Sequence, residues 1–361
     1  MNASPRTLGI DPGTVTIDLC GLDDGVVFLD QSLPTADALA DIPAFIALLR
    51  DARPALIAGP SGYGLPLTPV ERATETDLRL AYLAGTDDHG GIGGLRTLAR
   101  ALRDAALPVL FTPGVVHLPS VPAYRKINRV DMGTADKVCA VALGIHEQAR
   151  TRECGYGEVS FILLELGGAF SAAIAVNEGR IVDGLGGSSG PLGIRAAGAL
   201  DGEVAFLAGT VTKDMLFTGG VASILGDADH AVDRIAEPRA ERDQVARDAL
   251  VESAVKAVGA LAAATRRPYE ILLSGRASHA ESIVRELRLR LSPIAPTRRL
   301  EGFARTAKEA AQGAALIADG LVGGPNEALV NALGLREATG TVLDYLLVIS
   351  PNAARRRLGI A

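Results

Sequence analysis

The hydrophobic pattern of the chain switches between two periods. An apolar-biased run from Thr7 ends at Asp11, and Pro12-Gly13-Thr14 makes a tight turn. Val15, Ile17 and Leu19 then alternate with Thr16, Asp18 and Cys20. An apolar-biased run into such a turn and an alternating segment after it predict a β-hairpin, and residues 26–29 predict a third strand of the same meander. Residues 42–49 return to helical spacing, with Pro43 suited to a first turn. A short buried strand is predicted over 55–58, ending in Gly59-Pro60-Ser61-Gly62. A helix over 68–83, a loop over 85–94, a helix over 95–107, a strand over 109–111 and an amphipathic helix over 134–150 follow.

A buried strand is predicted over 159–164, with further strands over 171–176 and 180–183, separated by the turns Gly167-Gly168 and Asn177-Glu178-Gly179. Helices are predicted near 202–207 and over 245–265, a strand over 271–274 ending at Gly275, and a helix over 280–291. A helix of mostly small residues over 307–318 lets a neighbour or a ligand approach closely. Each half of the chain therefore opens with a meander whose tightest glycine turn joins its first two strands. This layout predicts an α/β protein with lobes at 1–150 and 151–325. A helical tail at 326–361 packs back on the first lobe.

At 361 residues the chain is long enough for two lobes with substantial cores. No apolar run approaches the roughly 18 residues of a membrane span. The first residues, Met1-Asn2-Ala3-Ser4-Pro5, lack the apolar core of a signal peptide, so a cytoplasmic protein is expected. A net charge of −6 and the absence of Trp argue against nucleic acid as a partner. The three cysteines and five histidines show neither disulfide-framework nor metal-ligand spacing.

The abundant glycine is concentrated in a few clusters, and these carry the candidate chemistry. In the first turn, Gly13 lets backbone N–H groups approach an anion, Thr14 donates to it, and Asp11 holds a hydrated Mg²⁺. Asp-Pro-Gly-Thr is also an ordinary turn. Gly167 and Gly168 occupy the equivalent place in the second meander. Gly219-Gly220 forms a third cluster, and Ser274-Gly275-Arg276 a strand-to-helix loop. Two glycine turns and one such loop suit a polyphosphate and its nucleoside, and phosphoryl transfer needs mainly positioning and charge neutralisation. No Walker lysine pattern is present, and no dinucleotide fingerprint is convincing.

That order of motifs resembles the actin-like ATPase superfamily of actins, sugar kinases and heat-shock chaperones, with its acetate and butyrate kinase branch nearest. LLELGGAFSAAIAVNEGRIVDGLGGSSGP (163–191) is similar to the branch's second phosphate region, and FTGGVASILG (217–226) to its glycine loop. ILLSGRASHAESIVRELRLRLSPIAP (271–296) is similar to its adenosine segment, and KEAAQGAAL (308–316) to its closing helix. The resemblance implies two ribonuclease H-like lobes, each a mixed five-stranded sheet flanked by helices. It also implies ATP and Mg²⁺, a small-molecule acceptor of the short-chain carboxylate class, and a homo-oligomer. On it, Arg195 stands where the branch keeps a phosphate-stabilising Arg, and Asp131 or Arg125 faces the acceptor; Glu309, at the start of the last small-residue helix, is placed to help hold the metal.

For four of these residues the sequence leaves a plainer reading open. Glu165 is a metal or base group or a polar strand end. Arg276 stacks on adenine or lies on the surface. Asp131 faces the acceptor or caps a helix, and Glu309 is a metal ligand or an ordinary first-turn acid. Two departures bear on specificity: Glu165 stands where the branch has His, and Pro60-Ser61 where it has the Arg of the carboxylate site. A kinase and an ATP-hydrolysing regulator of a partner protein both fit the motifs.

Overall fold

A computed structural model describes residues 5–59, 62–83, 92–265 and 267–360, and for 92–95 the backbone alone. Pro60-Ser61 and residues 85–91 of the predicted loop lie outside the described residues. The chain divides into two units. The first takes everything described up to Val130, then Thr134–Gly157 and the stretch from Glu301 onward. The second takes Asp131–Gly133 and Glu158–Leu300.

In the first unit the predicted meander is β1 (Thr7–Pro12), β2 (Thr16–Asp23) and β3 (Val26–Pro34), all antiparallel. Next to β1 comes β4 (Leu56–Gly59), in parallel, and the two-residue β5 (Thr68–Pro69) pairs antiparallel with β6 (Val109–Phe111). The order is β3-β2-β1-β4-β6-β5, six strands rather than the expected five. The sixth arises where a helix is expected from residue 68. Pro69 closes that strand, and the helix begins only at Glu75, behind a Thr74–Asp77 capping box.

β1 is buried almost throughout because the helix Glu309–Leu321 lies across it, so its residues do not alternate in exposure. That helix, placed with the second lobe by the sequence, belongs to the first unit. A Cβ built on Gly9 would stand 2.0 Å from the Ala311 carbonyl oxygen, and one on Gly313 would stand 1.7 Å from the Cys139 carbonyl oxygen. Glycine is what allows β1, this helix and the helix Ala135–Arg152 to approach so closely. The tail enters the same core through Val342, Leu343, Ala354 and Ile360.

The stretch that leads into this helix is pinned residue by residue. Glu147 accepts from the backbone N–H of Glu301 and Gly302, at 3.1 and 2.7 Å. Gln312 accepts from Phe303 and Ala304, and Asp30 from Arg305, Thr306 and Ala307. Glu147 and Gln312 are buried. Replacing Glu147 by leucine leaves two amides without acceptors and should lower stability by about 1–3 kcal/mol. A urea midpoint equal to that of the wild type would show that other groups satisfy them.

The second unit repeats the arrangement. β7 (Phe161–Leu166), β8 (Ser171–Asn177) and β9 (Arg180–Leu185) form the meander. Parallel strands β10 (Glu270–Ser274) and β11 (Thr297–Arg299) extend it in the order β11-β10-β7-β8-β9. Ile162, Leu164, Ile271 and Leu273 pack with Leu250, Val258 and Leu287 from the flanking helices. Among the described residues no helix is long and apolar enough to cross a membrane.

Candidate functional site

The first unit concentrates charge at the β1–β2 turn. Gly13 N–H lies 3.1 Å from the Asp11 carbonyl and 2.9 Å from the Thr16 carbonyl, and the Gly13 carbonyl accepts from Thr35 Oγ1 at 2.8 Å. Thr14 is exposed at the tip. The hairpin register sets Asp11 opposite Asp18. Thr16 Oγ1 donates to Asp18 Oδ2 at 2.8 Å, and the Lys308 ammonium sits 3.0 Å from that oxygen while also donating to Thr16 Oγ1.

The helix Ala135–Arg152 brings Asp136 and Lys137 in its first turn, paired at 2.6 Å. Burial, with repulsion from Asp136 adding to it, pushes the Asp11 carboxyl up to about 7. Against the desolvation of burial, the Lys137 ammonium and a Thr134 hydrogen bond hold Asp136 below the usual carboxylate range. Glu309, half-buried at the start of its helix, is raised by desolvation and feels Lys308, Asp18 and Lys137.

Four carboxylates, Asp11, Asp18, Asp136 and Glu309, thus meet two ammonium groups, Lys137 and Lys308. Asp18 Oδ1 is buried without a partner. Among the described residues no group of three or more His, Cys, Asp or Glu side chains is placed to hold a metal ion. Mg²⁺ keeps most of its waters and is held by one or two carboxylates. Asp11 and Glu309 are the residues here that would hold it.

The second unit assembles most of the other candidates. Ser274, at the end of β10, pairs with Glu165 of β7. Gly275 takes φ +81°, and a Cβ there would stand 2.7 Å from the Leu166 carbonyl group. Gly167 N–H donates to the Phe170 carbonyl at 3.0 Å, Gly168 is exposed, and a Cβ on Gly168 would meet nothing within 4 Å. The Ala169 carbonyl accepts from Arg195 and Ala196 N–H at 3.0 and 3.1 Å. Gly220 N–H donates to the Arg195 carbonyl at 2.9 Å, Gly219 bridges Ala196, and Phe170 packs edge-on to Phe217 at 4.9 Å. One end of the sheet therefore gathers Glu165, Gly167, Gly168, Arg195, Gly219, Gly220, Ser274 and Gly275. Arg276 opens the short helical turn Arg276–His279 and is exposed.

Asp131 has a different place from the one the resemblance implies. It is buried, and its carboxylate accepts from Gly133 N–H at 3.1 Å and from Ser188 N–H and Oγ at 3.0 and 3.2 Å. Its carbonyl accepts from Ser189 Oγ at 2.5 Å. Asp131 therefore brackets the 186–189 loop to its own segment, and the helix cap falls to Thr134. Sequence reasoning passed over Asp18, Asp136, Lys137 and Lys308 as site residues. Asp18 had a usable signal, since a hairpin centred on the Gly13-Thr14-Val15-Thr16 stretch pairs it with Asp11.

The fold is shared with solved kinases. A propionate kinase from Francisella tularensis superposes with a TM-score of 0.61 at 12% identity, covering 86% of this chain and 98% of that one. An acetate kinase from Entamoeba histolytica gives 0.56 at 11% identity over 79% and 86% of the two chains. A putative N-acetylmannosamine kinase from Listeria monocytogenes gives 0.50 at 12% identity over 86% and 97%. No curated protein matches the sequence. A family model described as Protein of unknown function (DUF1464) matches residues 9–348, and the chain belongs to that family.

Proposed function

We propose that the protein is an ATP- and Mg²⁺-dependent phosphotransferase acting on a small molecule. The observation that carries this reading is the β1–β2 turn, where Asp11, Asp18, Asp136 and Glu309 outnumber Lys137 and Lys308. Such a surplus disfavours a free anion and favours an anion that arrives with a divalent cation, as Mg·ATP does. Bound there, Mg²⁺ would neutralise charge on the phosphates during transfer. Within the second unit, exposed Gly168 leaves room for a phosphate, and the Ser274-Gly275 loop is the candidate for a nucleoside. Likeness of fold to acetate, propionate and sugar kinases supports the same reaction class.

The acceptor class we propose is a short-chain carboxylate, giving an acyl phosphate and ADP, as the sequence resemblance implies. The test is a panel of short-chain carboxylates incubated with ATP and Mg²⁺, with acyl phosphate trapped by hydroxylamine and ADP measured in parallel. Acceptor-stimulated ADP release with hydroxamate formation is the expected result. ADP release that no acceptor stimulates would replace the kinase with an ATPase that acts on a partner. ADP release stimulated only by alcohols or sugars would move the acceptor to a hydroxyl compound.

A further inference from the structure

Of the two ammonium groups at the first turn, one is committed and the other is not. Lys137 is paired with Asp136 at 2.6 Å and its side chain is only 13% exposed. The Lys308 side chain is 47% exposed, while the carboxylate that anchors it, Asp18, is 1% exposed. Lys308 also lies against the glycine turn itself, its Nζ standing 3.7 Å from a Cβ built on Gly13. Asp18 Oδ2 and Thr16 Oγ1 take two of its three N–H donors, and the third remains for a ligand.

We propose that Lys308 is the phosphate-binding cation of the first unit, holding the oligophosphate tail of a nucleoside triphosphate at the Gly13 turn, and that Asp18 positions it there. The assignment rests on the phosphotransferase reading and adds to it a group the sequence motifs do not mark. A lysine on a flexible stem would ordinarily swing in water. A buried carboxylate beneath its head group and a hydroxyl beside it hold it over the turn, so little conformational entropy is lost when the phosphate arrives. Lysine serves such a site as a point charge that follows the phosphate through transfer. The pair also explains why an aspartate is buried at position 18: its charge is the anchor.

The test uses the full-length protein and its Lys308→Met, Lys308→Arg, Asp18→Asn and Asp18→Asn/Lys308→Met variants. Mg·ATP turnover is measured, together with binding of Mg·ATP and of the Mg²⁺ complex of inorganic tripolyphosphate, which carries the phosphates without the nucleoside. Lys308→Met should lose about 10- to 100-fold in kcat/KM for ATP and a similar factor in tripolyphosphate affinity, the range of a hydrogen bond to a charged group. Lys308→Arg should recover part of both. Asp18→Asn should weaken ATP less, and the double variant should be no worse than Lys308→Met alone, because the two residues act as one unit. A purely structural role for Asp18 would instead give additive losses. If the wild type binds Mg·ATP and Lys308→Met matches it in affinity and turnover, the assignment falls while the phosphotransferase reading stands. If the wild type binds no Mg·ATP, both fall.

Discussion

Replacing Asp11 by asparagine lowers Mg·ATP turnover by at least about 100-fold, the scale of losing one placed electrostatic group, and stabilises the Mg²⁺-free protein at alkaline pH. The two effects share a cause. Burial and the neighbouring Asp136 raise the Asp11 carboxyl in the folded protein to about 7, from an ordinary value of 3.8. Between those values the folded state holds a proton that the unfolded chain has released. Stability from this group is therefore complete below the ordinary value and is lost as pH rises to about 7. Asparagine keeps the shape and has no charge to bury. In EDTA, the wild type's Tm should fall more steeply than that of the variant between about pH 4 and about pH 7. Added Mg²⁺ should close the gap for the wild type alone. A residue whose loss abolishes turnover yet stabilises the fold is kept for chemistry, not packing. A folded Asp11→Asn protein with near-wild-type turnover would remove Asp11 from the site.

The apolar-biased run before Pro12-Gly13-Thr14 and the alternation after it are enough to place Asp11 at a hairpin turn, and the glycine positions are enough to place Gly167 and Ser274-Gly275 at strand ends. Both signals are local, and local signals survive folding. Lys308 and Asp136 were invisible for the opposite reason. Lys308 reaches the turn only because the helix Glu309–Leu321 crosses β1, and Asp136 only because the helix Ala135–Arg152 packs against that same helix. Those are contacts between residues more than a hundred positions apart. No periodicity records them.

Two elements were missed for smaller reasons. β11 is three residues, Thr297–Arg299, polar enough to read as a loop, and it becomes a strand because β10 offers it a parallel edge. The helix expected from residue 68 runs instead through β5 and a short helical turn, Val70–Arg72, before its cap at Thr74. The Thr74-x-x-Asp77 signature of that cap is in the sequence, but the apolar residues upstream mask it. The unit boundary moved for a topological reason, since the helix from Glu309 is far along the chain yet completes the first unit.

That same crossing makes Gly9 the most sensitive position in the first unit. Gly9→Val should leave no folded protein at ambient temperature, and Gly9→Ala should cost upwards of about 1–3 kcal/mol, the range for overpacking a close-packed core. The obstacle is backbone, not a side chain that can rotate away: the added Cβ would lie 2.0 Å from the Ala311 carbonyl oxygen and 2.3 Å from the Ala315 nitrogen. Relief requires the helix Glu309–Leu321 to lift from β1, and its other side is held by Gly313 against Cys139. Lifting it also carries Lys308 and Glu309 away from Asp11 and Asp18, because the pair stands at the start of the displaced helix. Gly9→Ala should therefore weaken Mg·ATP affinity as well as lower the urea midpoint, although Gly9 touches no ligand. An exposed glycine makes the control: Gly157, where a Cβ would meet nothing within 4 Å, should tolerate alanine with no change in affinity. A Gly9→Ala protein with the wild-type urea midpoint would mean that the helix moves off β1 without loss. The close approach would then not be what fixes Asp11 and Lys308 together.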